Sequence, residues 1–289
     1  MIVYFNGQLM PKENVALSPD DRGFLFADGA YEVARSYRGK PFRLDDHFER
    51  LERSLKEIRI APPDLDAIKK AVPRLIRENG LDSGDALIYI QITRGIAPRQ
   101  HAFPDPPAPP TVFASASLFV PDEKALKQGV GIILVPDTRG LRCDIKSTTL
   151  LPNVLACQQA REKGAYEAVF VRDGIVKEGS HTSLAAVFNN WLVTHPEDNT
   201  ILSGVTRKLV LNLCLEKGIQ FEEAPIPSHQ LPMASEIMIL GTMTEIMPVV
   251  RVDDWTVGDG KPGPVCQRLQ EEFRKLIAYE EREAFPFKG

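Results

Sequence analysis

Apolar positions in the first 120 residues fall in short runs of branched and aromatic side chains, separated by Gly, Pro, Asn or Asp, which is the pattern of strands joined by turns. Val3 to Met10 carries Asn6-Gly7 at its centre, a dipeptide that tolerates the positive φ of a tight turn, and predicts a β-hairpin. Ala30 to Tyr37, Leu87 to Arg94 and Val112 to Val120 predict further strands. Two stretches switch to helical spacing. From Asp46 to about Glu57, behind Asp45 as cap, Phe48, Leu51, Leu55 and Ile58 form a buried stripe, and His47, Arg50 and Ser54 fall on the other, exposed face. Asp64 to Asn79 predicts a second helix ended by Gly80, kinked or split at Pro73. Five of the seven residues from Pro104 to Pro110 are proline, which predicts a stiff surface loop.

The second half alternates strand and helix. A new helix follows Phe119 to Glu123, then a strand over Val130 to Val135. A helix from Asn153 to Lys163 stops at Gly164, a hairpin turns at Asp173-Gly174, and strands over Leu184 to Phe188 and Glu236 to Leu240 flank a helix from Thr206 to Lys217. There is no internal repeat. The pattern predicts two distinct α/β domains, a smaller one over residues 1–120 and a larger one over 121–289, meeting at a cleft.

Charge and composition narrow the partners. A formal net charge of -4 with interspersed signs gives no basic stripe for nucleic acid, so a small-molecule partner is expected. No apolar run approaches the ~18 residues of a membrane span, and Met1 to Met10 lacks a signal-peptide pattern, so a soluble, cytoplasmic protein is expected. Cys143, Cys157, Cys214 and Cys266 lie far apart without a CxxC pair, which predicts reduced thiols and no metal site.

The chemistry centres on Lys146, in the run Leu141, Arg142, Cys143, Asp144, Ile145, Lys146, Ser147, which reads as following a buried strand. Desolvation there favours the neutral, nucleophilic amine. Several segments set its context: Asp21 to Glu32 (DRGFLFADGAYE), His47 with Arg50, Gln91 to Pro104 (QITRGIAPRQHAFP), Glu178 to Ser180, and Leu202 to Arg207. In this order and spacing the chain resembles the fold-type IV pyridoxal phosphate enzymes and, within them, the D-amino acid transaminases.

That resemblance implies a mixed α/β, two-domain fold with pyridoxal 5'-phosphate in the cleft between domains. It implies that Lys146 forms the Schiff base and moves the proton at substrate Cα, and that Glu178 pairs with the pyridine nitrogen. Arg50, the backbone and hydroxyl of the turn at Val205 and Thr206, and Gly241 with Thr242 would hold the phosphate. Arg99 and His101 would reach into the neighbouring subunit of a homodimer and, with Tyr31, bind the substrate α-carboxylate, while Tyr89 would line the same pocket. The substrates would be an amino acid, such as D-alanine, D-glutamate or D-aspartate, and a 2-oxo acid.

Three departures stand out: Gly241 replaces a serine, His181, Thr182 and Ser183 replace a serine-rich run ending in asparagine, and Val33 takes the glycine position of the branched-chain transaminases. Three alternatives stay open. They are an L-branched-chain transaminase, a lyase similar to aminodeoxychorismate lyase, and a non-catalytic protein that binds the cofactor.

Overall fold

The computed structural model describes residues 1–283 and divides them into two compact units. Residues 1–120 form the first, joined by Ile145–Thr149 and by the described residues from Glu280; Pro121–Asp144 and Leu150–Tyr279 form the second. The sequence expectation placed Lys146 in the unit after residue 120, whereas its contacts group it with the first. The reason is a short backbone pairing, described below, that draws the segment onto a strand of that unit.

The first unit opens with the hairpin β1 (Ile2–Phe5) and β2 (Gln8–Pro11), turned at Asn6 and Gly7 with φ of 46° and 91°. A short helix α1 (Arg22–Phe26) is capped by Asp21, whose side chain accepts from Gly23 N. There follow β3 (Gly29–Tyr37), β4 (Lys40–Pro41), α2 (Leu44–Glu57), α3 (Leu65–Glu78), β5 (Asp85–Thr93) and β6 (Thr111–Phe119). The six strands form one antiparallel sheet in the order β2-β1-β6-β5-β3-β4. Alternate side chains of β3 and β5, among them Ala30, Ala34, Ile88, Ile90 and Ile92, pack against Phe48, Leu51 and Leu55 of α2 and Ile68, Val72, Leu75 and Ile76 of α3. Tyr31, Val33 and Tyr89 therefore belong to the opposite face, where all three are half-buried.

Three expectations for the helices change. Helix α2 starts two residues early, at Leu44 behind Arg43 in the left-handed region, so Asp45 lies inside its first turn and not at its cap. His47, Arg50 and Ser54, expected on an exposed face, are buried. The cause is Glu32, which shares the sheet face with Ala30 and Ala34 and is 1% exposed. Arg50 donates to it through Nε (2.7 Å) and Nη2 (2.9 Å), and His47 Nδ1 donates at 2.8 Å. Helix α3 runs unbroken through Pro73, which faces solvent while buried Val72 and Ile76 anchor the helix on both sides of it.

The second unit comprises α4 (Glu123–Gln128), β7 (Val130–Pro136), α5 (Leu151–Glu162), β8 (Glu167–Arg172), β9 (Ile175–Gly179), β10 (Ser183–Phe188), β11 (Trp191–Thr194), α6 (Val205–Lys217), β12 (Phe221–Glu223), β13 (Ile226–Pro227), β14 (Glu236–Gly241), β15 (Glu245–Val252), β16 (Trp255–Thr256) and, up to Tyr279, α7 (Pro264–Glu283). Its mixed sheet runs β12-β11-β10-β14-β15-β7-β8-β9-β13, with β16 paired to β15. Between β7 and α5 the expected strand before Lys146 is absent. Its polar side chains satisfy one another locally, as in the Arg142 to Asp144 bond of 2.9 Å, and only one isolated bridge forms. No described helix is long and apolar enough to cross a membrane.

Burial raises the pKa of Glu32, but Arg50 and His47 more than offset it and hold the carboxyl far below the ordinary glutamate value of 4.5. A depressed carboxyl stabilises the fold above its unfolded value, and that contribution is lost as pH falls below it. Glu32→Gln, which leaves a buried guanidinium without its counter-charge, should cost about 3 kcal/mol in urea unfolding at pH 7. The deficit should shrink as pH falls below about 4.5; a deficit constant with pH would refute the assignment.

Candidate active site

In the first unit the backbone of Lys146 is fastened to β3 and α2. Ser147 bridges Ala30, Tyr31 N donates to Lys146 O (3.0 Å), and Thr148 N donates to Gly29 O (3.0 Å). Lys146 N donates to Ser54 Oγ at 3.3 Å, and Ser54 Oγ in turn donates to Arg50 O at 2.8 Å. The close run of β3 beside β5 needs a glycine at its start, because a Cβ on Gly29 would stand 2.7 Å from Ile92 O. The half-buried Lys146 side chain then crosses the sheet face on which Tyr31 lies, with Nζ 4.6 Å from the ring centroid. The Tyr31 and Tyr89 rings are 6.0 Å apart, and burial, with a smaller contribution from Tyr31, pushes the Tyr89 hydroxyl up to about 12.

Burial holds the pKa of His47 below its ordinary value in this setting; Glu32 opposes that, and the cationic Arg50 and Lys146 add to the lowering. One edge of the Arg50 guanidinium, through Nε and Nη2, is committed to the Glu32 carboxylate, which fixes the orientation of the fork. Arg99 and His101 lie on an exposed loop that gathers around Phe26: the Arg99 guanidinium carbon stands 5.3 Å from the ring centroid, and the His101 ring 5.5 Å from it.

In the second unit Glu178 is buried on β9 with both oxygens engaged. Leu202 N donates to Oε2 at 3.0 Å, and Arg139 donates through Nη1 to Oε1. Arg139 lies over the Phe170 ring at 4.3 Å and is itself held by Asp137, through Nε and Nη2 at 3.0 Å each. Arg172 pairs with Asp137 at 2.9 Å. Burial works against Asp137, but its bonds to Arg139 prevail and keep its carboxyl below the ordinary range. Arg139 was not among the residues read from the sequence; the signal for it is Asp137 and Arg139 two apart, immediately beyond an apolar strand.

Glu167 was missed in the same way, as an acidic residue heading the apolar run Ala168, Val169, Phe170. It accepts from Ser180 Oγ (2.6 Å), Thr182 Oγ1 (3.0 Å), His181 N (3.3 Å) and Ala168 N (2.8 Å), and pairs with His181 Nδ1 at 3.0 Å. These bonds fold the turn that follows Glu178. The turn has no room for a side chain at Gly179, whose Cβ would fall 2.1 Å from Thr182 Oγ1.

Val205 and Thr206, both buried, start α6. Its N-cap, Gly204, makes no side-chain cap, which leaves first-turn N–H groups directed at whatever anion approaches. Gly241 ends β14, and Thr242 follows it in the turn to β15. A Cβ on Gly241 would stand 2.8 Å from Thr244 Oγ1, so Thr244 takes up the space that a side chain at position 241 would need. That hydroxyl is buried and has no hydrogen-bond partner among the described residues.

A family model described as amino-transferase class IV matches residues 29–252. The chain is similar to proteins named D-alanine aminotransferase from Staphylococcus epidermidis, 40% identical over 95% of this chain and 97% of that one, and from Bacillus licheniformis, 40% identical over 97% and 98%. Among solved structures it is similar to the branched-chain amino acid aminotransferase of Escherichia coli, with TM-score 0.88 and 27% identity over 96% of this chain and 94% of that chain. A branched-chain aminotransferase of Thermoproteus uzoniensis gives 0.86 and 28% over 98% and 96%. With the match spanning most of its length, this chain belongs to the class IV aminotransferases.

Proposed function

We propose that this protein is a pyridoxal 5'-phosphate-dependent transaminase that takes the amino group from D-alanine, D-glutamate or D-aspartate and gives it to a 2-oxo acid such as 2-oxoglutarate or pyruvate. The observation that carries the reading is Lys146, its backbone pinned to β3 and its amine 4.6 Å from the Tyr31 ring, in a chain 40% identical to proteins named D-alanine aminotransferase. Two features of the second unit suit the cofactor's phosphate: the start of α6 at Val205 and Thr206, which has no side-chain cap, and the buried Thr244 hydroxyl beside Gly241 and Thr242, without a hydrogen-bond partner among the described residues. Arg50 would add a cation to the phosphate. Pyridoxal phosphate, when bound, supplies an electron sink for the negative charge that develops at substrate Cα.

The remaining work falls to the protein. Lys146 Nζ removes the proton at Cα of the donor and returns one to the acceptor. Arg139 and Leu202 N each hold one oxygen of the Glu178 carboxylate in place, and that carboxylate would pair with the ring nitrogen of the bound cofactor. Arg99 and His101, with the Tyr31 hydroxyl, would receive the substrate carboxylate in a homodimer in which the loop serves the partner's site. The free thiols of Cys143, Cys157, Cys214 and Cys266 suit a reducing cytoplasm.

The second reading is an L-branched-chain transaminase, favoured by the resemblance to the enzyme of that name from Escherichia coli. Handedness separates the two. D-alanine added without any oxo acid should bleach the absorbance of the lysine-bound cofactor, and L-leucine should leave it; bleaching by L-leucine alone would transfer the protein to the second reading.

Lys146→Ala should remove the visible absorbance of the bound cofactor and nearly all turnover, and an undiminished rate would strip Lys146 of its role. Arg99→Ala should raise KM for D-alanine with little change in kcat, by a factor corresponding to about 1.5 to 3 kcal/mol of a charge-assisted contact. Steady-state kinetics decides this, and an unchanged KM would mean that the carboxylate binds elsewhere. Arg139→Met should lower kcat on the order of tenfold or more while the cofactor still binds Lys146, because the carboxylate at Glu178 loses its anchor; a change confined to KM would contradict this.

A further inference from the structure

Arg22, the first residue of α1, is buried to 3% exposure, yet its guanidinium is spent almost wholly on the loop that carries Arg99 and His101. Nη1 donates to Gln100 O (2.6 Å) and Ala102 O (3.3 Å), and Nη2 donates to His101 O (3.3 Å). Three consecutive carbonyls are thus gathered by one side chain. Nε donates to Asp28 Oδ2 at 2.9 Å, which fixes the direction of the fork. The same guanidinium lies 4.9 Å from the Phe26 ring, against which the Arg99 and His101 side chains also rest.

The rest of the loop is fastened to the same place. Arg22 N donates to Gly95 O (2.9 Å), Asp21 bridges Ile96, and Ala97 N donates to Asp20 O (3.2 Å), so the loop's start is paired with residues 20–22. At its far end Phe103 lies under Arg94, 3.6 Å from the guanidinium carbon. Arg94 returns to Asp28 through Nε (2.7 Å) and Nη2 (2.8 Å), and it also donates to Ile58 O and Arg59 O at the end of α2. Asp28 therefore joins the two arginines that hold the tip and the end of the loop.

We infer that Arg22 is a positioning residue for recognition of the substrate carboxylate: by holding the carbonyls of residues 100–102 it fixes the directions from which Arg99 and His101 present their donors. This rests on the reading that Arg99 and His101 bind that carboxylate. An exposed loop of polar residues samples many conformations, and a fork that engages one carboxylate productively must be held close to a single geometry. Lysine cannot replace Arg22 here, since one ammonium has neither the planar fork nor the reach to serve three carbonyls and Asp28 together.

The test is a double-mutant cycle on the holoenzyme, with Arg22→Lys, which keeps the charge beside Asp28, and Arg22→Met as the second variant. Each should keep the absorbance of the lysine-bound cofactor and raise KM for D-alanine on the order of tenfold, with kcat within about twofold. In an Arg99→Ala background the same substitution should add almost nothing to KM, because the donor it positions is gone. Full additivity of the two KM effects, or a parallel fall in kcat and thermal stability without a KM change in both variants, would overturn the inference and leave Arg22 a purely structural residue. Arg22 variants with unchanged KM, where Arg99→Ala raises it, would overturn the inference alone. An unchanged KM in Arg99→Ala would remove the carboxylate role from the loop and overturn both.

Discussion

The hydrogen bond from Tyr31 N to Lys146 O, with the Ala30–Ser147 bridge beside it, is the constraint from which the rest of the first unit's site follows. It attaches a segment that is irregular on its own to a strand whose register is set by eight pairs with β5, from Gly29 with Thr93 to Ser36 with Ala86. Once that strand is in register, the two-residue period of β3 places Tyr31 on the half-buried face and Glu32 on the face covered by α2. A one-residue slip would exchange them, leaving a carboxylate beneath Lys146 and a phenol against Arg50. The amine is thereby given an aromatic platform, and the nearby guanidinium a carboxylate.

Burial of charge is the second theme, and in each case it is managed by several hydrogen bonds rather than by one ion pair. Glu32 has Arg50 and His47; Asp137 has Arg139 and Arg172; Glu167 has two hydroxyls, a histidine and two backbone N–H groups. Removing water from a carboxylate costs several kcal/mol, and only such saturation keeps it ionised and fixed. These carboxylates do not pair with substrate in the proposed chemistry. They hold residues proposed to contact the cofactor and the turn beside them, which is why they lie one step behind Arg50, Glu178 and the turn after it.

Much of this was legible in the chain. The Asn6-Gly7 and Asp173-Gly174 turns, the strands over residues 29–37, 85–93 and 111–119, and the helix after Gly204 follow from local turn chemistry and periodicity, which depend on near neighbours alone. Lys146 misled as to its surroundings: Leu141 and Ile145, on either side of Arg142, Cys143 and Asp144, imitate a strand, but Arg142, Asp144 and Arg139 have partners nearby that a ladder would deny them. Arg50 and His47 read as solvent-facing because helical spacing reports where apolar residues point and is silent about a buried acid waiting 18 residues earlier. Arg22, Arg139 and Glu167 escaped because their partners are backbone carbonyls, turns and side chains distant in sequence, up to 80 residues away for Arg22 and Ala102.

Gly241 and Thr244 bear on how the chain can drift over time. The hydroxyl of Thr244 occupies the space that a side chain at position 241 would need, at 2.8 Å from the projected Cβ. The two positions are consequently not independent: a serine at 241 meets resistance for as long as threonine stays at 244, and it becomes accessible only after that hydroxyl has turned away or been replaced. Substitution at this turn is thus a matter of order, in which one change opens or closes the route to the other.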